Sequence, residues 1–328
     1  MPSALDVSAL ESVGNGNWRP LARNHTGEMY RLCDNGHQHN LCNWMVPATD
    51  AEPLCVSCRL NTVIPDLSVQ GNRERWHKLE IAKRRIIYSI LRFGLPMEET
   101  DNRPKLSFKF VADVPCSAPE LTGHANGLIT VNIAEADDAE RERRRINLRE
   151  PYRTLLGHLR HEVAHYYWDR LIANSNWLGD YRRLFGDESP NYAAALRRYY
   201  ERGAPRDWQT RHVSAYATSH PWEDWAETWA HYFHIVDMVE TAGWFGLKLQ
   251  PLHPAAKTMT ADAGKVMEAN LNFDCILENW FPITCALNSL NRGMGLLDAY
   301  PFVLSTPAIE KLRFIHSVVQ FESSRRGR

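Results

Sequence analysis

The chain has 328 residues, 44% hydrophobic and 23% charged, with a formal net charge of -1. This is ordinary for a folded globular protein, and the length suggests about two domains or one core with an appendage. Near-neutral charge gives no overall pull toward nucleic acid or an anionic membrane. No apolar run approaches the ~20 residues that span a bilayer.

The start, "MPSALDVSALESVGNGNWRP", lacks the basic-then-apolar pattern of a signal peptide. Residues 1–30 carry Gly, Asn and Pro with no clear period and read as loop. Four of the seven cysteines follow: Cys33, Cys42, Cys55 and Cys58, the last two as "CVSC". Four thiolates at these positions can close a tetrahedral, water-free shell around a structural zinc. His37 or His39 is an alternative to one of the cysteines. No thioredoxin-like pattern surrounds the CxxC, which argues against a redox motif. Cys116, Cys275 and Cys285 are scattered. The odd cysteine count and the clustering fit a reducing compartment, so the cytoplasm is expected.

Residues 61–75 read as a connector, and "WHKLEIAKRRIIYSILRFGL" as an amphipathic helix ending near Gly94. "LSFKFVAD" (106–113) alternates like a half-buried strand, and "GLITVNIAEA" (127–136) is rich in β-branched residues and reads as a second strand. "RERRRINLR" (141–149) reads as a solvated basic helix face. From Pro151 the pattern is helical at about 151–173, 190–202, 221–241 and 307–320. Strands followed by a mainly helical body give an α+β class. The expected division is a cysteine-bearing segment over 1–72 and a body over 73–328.

The body contains "HLRHEVAHYYWDRL" (158–171). On a helix, His161 and His165 lie one turn apart on one face and can present two imidazole nitrogens to one cation. Glu162 stands one step around, within reach of an attacking water: two zinc ligands and a general base. Leu155, Leu159, Val163 and Tyr166 supply a separate apolar side. The same letters also fit a polar stripe on an ordinary helix. A metzincin would need Gly at 168 and His at 171, where Trp168 and Leu171 stand.

A catalytic zinc keeps three protein ligands and one open position. "SAYATSHPWEDWAETWAHYFH" (214–234) offers the third. Pro221 suits a first helical turn, and Glu223 and Glu227 then lie four apart on one face. Glu223 is the expected ligand, and Glu227 the acid that hydrogen-bonds a ligating histidine. Asp224 is the runner-up ligand, with Asp180 and Asp187 weaker. His231 and His234 continue the Glu223 face as structural partners. Tyr216, seven residues before Glu223, can donate to an oxyanion.

Tyr-x6-Glu-x3-Glu downstream of HExxH resembles the zinc domain of the anthrax lethal factor type, a gluzincin. In that type the tyrosine assists the oxyanion and the first Glu of the pair binds zinc. More closely, "EPYRTLLGHLRHEVAHYYWDRL", "LFGDE", "SAYATSHPWEDWAETWAHYFH" and "LNRGMGLLDAYPFVL" resemble the bacterial zinc-binding metallopeptidases that carry an N-terminal zinc ribbon. This resemblance runs from about residue 31 to about 320. It implies a zincin-like peptidase domain, mainly helical with a small sheet, preceded by a cysteine zinc module. It further implies one catalytic and one structural zinc, and peptide or protein substrates. In such folds an edge strand beside the active-site helix aligns an extended substrate, and "GLITVNIAEA" is the candidate here.

That family also has a further ribbon upstream with paired CxxC motifs, whereas residues 1–30 hold no cysteine. The gap and the neutral charge argue against nucleic acid as a partner. The competing reading is a metal-binding regulatory or interaction protein on a zincin scaffold without significant peptidase activity.

Overall fold

A computed structural model describes residues 10–21, 27–100, 103–113, 120, 122–147, 154–268 and 272–326. The chain divides into two compact units, Met1–Arg144 and Arg145–Arg328.

The first unit begins with an antiparallel hairpin of β1 (Leu10–Gly14) and β2 (Asn17–Pro20). It turns at Asn15 and Gly16, with φ 53° and 74°. Two left-handed residues in Asn-Gly form the two-residue turn that matches strand twist. This corrects the expectation that residues 1–30 are all loop. β3 (Tyr30–Leu32) and β4 (Met45–Pro47) complete a four-stranded antiparallel sheet in the order β1-β2-β3-β4. Leu10, Tyr30 and Met45 form its small core, packed by Trp18 and Leu32. One helical turn, α1 (Asp34–His37), lies between β3 and β4.

Directly after Cys58 the chain enters β5 (Asn61–Val63), a strand inside the expected connector, and then the helix α2 (Asn72–Arg92). α2 buries Trp76, Leu79, Ile86, Ile87 and Ile90. A second sheet runs β5-β6-β8-β7, built with β6 (Ser107–Val111), β7 (Gly123–Ala125) and β8 (Leu128–Asn132). β5, β6 and β8 are parallel, and β7 is antiparallel on the outer side of β8. The strand expected at an edge is therefore an inner one, so its main chain is not open to a substrate. Residues 133–136 leave it as a tight helical turn.

α2 is tied to the cysteine segment by polar contacts. Arg84 Nη1 donates to Leu41 O at 2.8 Å. Lys83 Nζ, fully buried, reaches Glu80 Oε1 at 2.8 Å and also bonds Asn61 Oδ1. The helix α3 (Asp138–Asn147) follows and crosses the division between the units.

The second unit is helical. α4 (Leu155–Tyr167) starts at Thr154, whose hydroxyl accepts from Gly157 N at 3.0 Å, a standard N-cap bond. It continues through Ile172 as a wider π turn. Then come α5 (Leu178–Phe185), α6 (Tyr192–Arg202) and the long α7 (Pro221–Trp244). A two-strand pair, β9 (Lys248–Leu249) with β10 (Ala261–Asp262), precedes α8 (Ala263–Glu268), α9 (Phe273–Gly293) and α10 (Thr306–Arg326).

α7 is the axis of this unit and packs on α4, α8, α9 and α10. Trp225, Trp229 and Tyr232 are almost fully buried along it, with Tyr167 of α4 stacked on Trp229 at 5.0 Å. Among the described residues, no helix is long and apolar enough to cross a membrane.

Candidate metal centre

α4 and α7 cross so that one turn of each faces the other. His161 Nε2 and His165 Nε2 lie 3.2 Å apart, as the one-turn spacing dictates. Glu223, in the first turn of α7, brings Oε2 to 2.9 Å from His161 Nε2 and Oε1 to 3.7 Å from His165 Nε2. One donor atom from each of the three residues falls within 4.8 Å of the others, and all three side chains are buried. Glu223 Oε2 faces His161 Nε2 within hydrogen-bonding distance. A buried carboxylate and two imidazole nitrogens converging in this way form a donor set that a single cation would join. Two nitrogens and one oxygen suit zinc.

The four cysteine sulfurs of the first unit form a second such group, also within 4.8 Å and buried. Cys42 Sγ and Cys55 Sγ are 3.7 Å apart. Backbone N–H groups point at the sulfurs, from Cys55 to Cys33 Sγ at 3.3 Å and from Trp44 to Cys42 Sγ at 3.4 Å. Such donors favour thiolates, and four thiolates this close repel unless a cation holds them. His37 is exposed and His39 half-buried, and neither belongs to the group. Cys116 lies outside the described residues, and Cys275 and Cys285 are exposed on α9.

A family model described as "Putative zinc-binding metallo-peptidase" matches residues 72–318. The chain belongs to this zinc-binding metallopeptidase family. A zinc-ribbon domain model matches residues 1–69, so a zincin-like body follows a cysteine zinc module. The ribbon match takes in the β1–β2 hairpin as well as the cysteines. Uncharacterized proteins of Mycobacterium tuberculosis and Mycobacterium bovis are each 44% identical over 294 residues, covering 88% of this chain and 82% of theirs. No solved structure matches.

The charges around the histidine group are mutually arranged. Burial opposes a charge on His161, but the carboxylates of Glu223 and Glu227 outweigh it and hold the imidazole well above its ordinary value. Burial holds His165 below its ordinary value. Burial alone would raise Glu223, yet His161, His165 and the Tyr192 phenol keep it at about 2. For Glu162, burial is outweighed by His158, whose Nε2 lies 3.2 Å from Oε1, so the carboxyl sits below its usual value.

A second layer holds these groups in place. His161 Nδ1–H donates to Glu227 Oε1 at 2.7 Å. Ser214 Oγ donates to Glu227 Oε2 at 2.6 Å while accepting from Ala217 N at 3.2 Å. The Tyr192 hydroxyl donates to Glu223 Oε1. Trp222 covers His165, ring centroids 4.1 Å apart. His220 caps α7, its Nδ1 accepting from Trp222 N at 3.1 Å, which places the ring proton on Nε2, 3.3 Å from Pro190 O. Tyr216 lies with its ring 5.9 Å from that of His161, and burial pushes its phenol far above the ordinary value.

The runner-up ligands are engaged elsewhere. Asp224 turns to Lys311 Nζ at 2.5 Å and Thr228 Oγ1 at 3.4 Å, and burial pushes its carboxyl up to about 7. Asp180 pairs with Arg183, and Asp187 accepts from Ser189 N. His231 bonds the Tyr300 hydroxyl and His234 accepts from Arg160 at 2.7 Å. Trp168 and Leu171, at the metzincin positions, are packing residues: Trp168 stacks edge-on to Tyr181 and Trp222, and Leu171 is buried.

Sequence reasoning missed Tyr192, Ser214, His158, His220 and Trp222. Only His158 had a signal: it stands four residues before Glu162 on the same helix.

Proposed function

We propose that this chain is a zinc-dependent peptidase of gluzincin type acting on peptide or protein substrates. His161, His165 and Glu223 hold the catalytic zinc, and Cys33, Cys42, Cys55 and Cys58 hold a structural one. The reading is carried by the convergence of buried donor atoms from His161, His165 and Glu223, all within 4.8 Å of one another. Bound zinc would supply a Lewis acid that polarises a peptide carbonyl and acidifies water.

The remaining steps belong to the chain's own groups. Glu162, ionised and braced by His158, takes the proton of the attacking water and passes it to the leaving amine. Tyr216 keeps its proton at neutral pH and donates it as a hydrogen bond to the oxyanion. Glu227, steadied by Ser214, fixes the tautomer and tilt of His161. Four clustered cysteines read as zinc ligands and not as a disulfide framework fit a cytoplasmic setting.

The test is a peptide-library digest read by mass spectrometry, with parent and Glu162→Gln side by side. The variant should keep its zinc and lose cleavage by about 10²-fold or more, the usual worth of a positioned general base. Cleavage retained in Glu162→Gln would overturn the mechanism.

A further inference from the structure

α6 stands apart from the other long helices of its unit. Of its eleven residues only Ala195 is buried. Tyr192 and Tyr199, half-buried, lie two turns apart on the same side as Ala195. Arg197 and Arg198 are exposed. Glycines in left-handed conformation mark the C-terminal ends of α5 and α6, Gly186 at φ 102° and Gly203 at φ 73°.

α6 meets the surroundings of the metal centre. The Tyr192 hydroxyl donates to Glu223 Oε1, and its ring meets His220 at 5.3 Å and Trp222 at 5.6 Å. The Tyr199 ring meets Tyr216 at 5.6 Å. With Oε1 committed to the phenol, the Glu223 carboxylate is held in the rotamer that turns Oε2 toward His161 Nε2, 2.9 Å away.

We propose that Tyr192 is a positioning residue: it sets Glu223 for the metal, and through it α6 is a lid whose closure depends on metal. The proposal rests on reading Glu223 as a ligand. Coupling of this kind is reciprocal. A metal that steadies Glu223 steadies its bond to Tyr192, and a closed α6 presents Glu223 already oriented. A helix with so little buried surface opens at low free energy, so the effect shows in local exchange and not in global unfolding.

The experiment joins zinc affinity, by chelator competition, to hydrogen–deuterium exchange of residues 192–202, in parent, Tyr192→Phe and Glu223→Ala. In the parent, zinc should slow exchange in this segment about tenfold. Tyr192→Phe keeps the ring and loses the hydroxyl. It should bind zinc at the histidine centre about tenfold more weakly, within the usual range for loss of a group supporting a ligand. It should also lose the zinc-dependent protection while keeping the cysteine-bound zinc. Parent-like affinity and protection in Tyr192→Phe, with zinc lost in Glu223→Ala, would overturn the role of Tyr192 alone. Zinc retained at the histidine centre in Glu223→Ala would overturn the ligand reading and this proposal together. If Tyr192→Phe fails to fold, the parent decides: exchange over 192–202 that ignores zinc refutes the lid.

Discussion

Trp225→Phe tests how the core sets the geometry of the metal centre. Trp225 is fully buried on α7 between Glu223 and Glu227 in sequence, against Tyr181, Phe185 and Phe314. Its indole N–H donates to Ala164 O at 2.9 Å, a carbonyl of the α4 turn that carries His161 and His165. Phe keeps an aromatic ring in place but removes the donor and roughly 40 Å³, which at about 24 cal/mol per Å³ of cavity amounts to ~1 kcal/mol. The lost hydrogen bond adds about 1 kcal/mol. Ala164 O retains its bond from Trp168 N, so no orphaned carbonyl enlarges the penalty. The expected total is about 2 kcal/mol, or roughly 4–8 °C in Tm for a body of this size. Chemical denaturation of the metal-loaded protein, with zinc affinity measured alongside, reads both effects. Stability should fall by that amount, and zinc should bind more weakly at the histidine centre while the cysteine zinc is unaffected. A loss below about 0.5 kcal/mol, with parent zinc affinity, would refute the claim that this bond registers α7 on α4.

Three further outcomes are expected. In the metal-free protein Glu223 and Glu227 favour a proton on His161, whereas burial disfavours one on His165. Zinc must displace the His161 proton, so affinity should rise with pH as far as the raised His161 value, measured by competition at pH 6 and 7; affinity that does not rise with pH refutes it. By the same shift, the His161 pairing stabilises the metal-free fold below 6.5, its ordinary value, and is lost as pH climbs through the raised one. Ser214→Ala removes the 2.6 Å donor to Glu227 Oε2 and should weaken zinc binding at the histidine centre by about tenfold, read by chelator competition. Gly36→Ala would place a Cβ 2.2 Å from Cys42 O and 2.9 Å from Leu32 Cγ. A backbone carbonyl beside a cysteine ligand cannot yield that far, so metal analysis should show the cysteine zinc lost and the histidine zinc kept.

The histidine group was legible because its parts are local. A one-turn spacing in α4 and another in α7 each place their pair without reference to the rest of the chain. What joins the two helices was not legible. Tyr192 and Ser214 reach Glu223 and Glu227 across 31 and 13 residues of chain with no periodic relation to them. α9 escaped because Pro282 stands inside it, and proline within a helical pattern normally reads as a stop. The β1–β2 hairpin escaped although Asn15-Gly16 announced it, because its strands are short and mixed in polarity. β8 was recognised as a strand, but its inner position depends on β7, three residues long and without alternation.

The immediate passage from Cys58 into β5 bears on how this protein can be shortened. The two family matches meet near residue 70, which looks like a natural place to cut. A chain begun at residue 72 would lack β5, leaving the long side of β6 as a bare strand edge open to pairing with other molecules. It would also strip Asn61 from Lys83 and Glu80 and Leu41 from Arg84, removing hydrogen-bond partners from buried charged groups on α2. The cysteine module is therefore a foundation course under the second sheet, and a soluble fragment of this protein has to keep it.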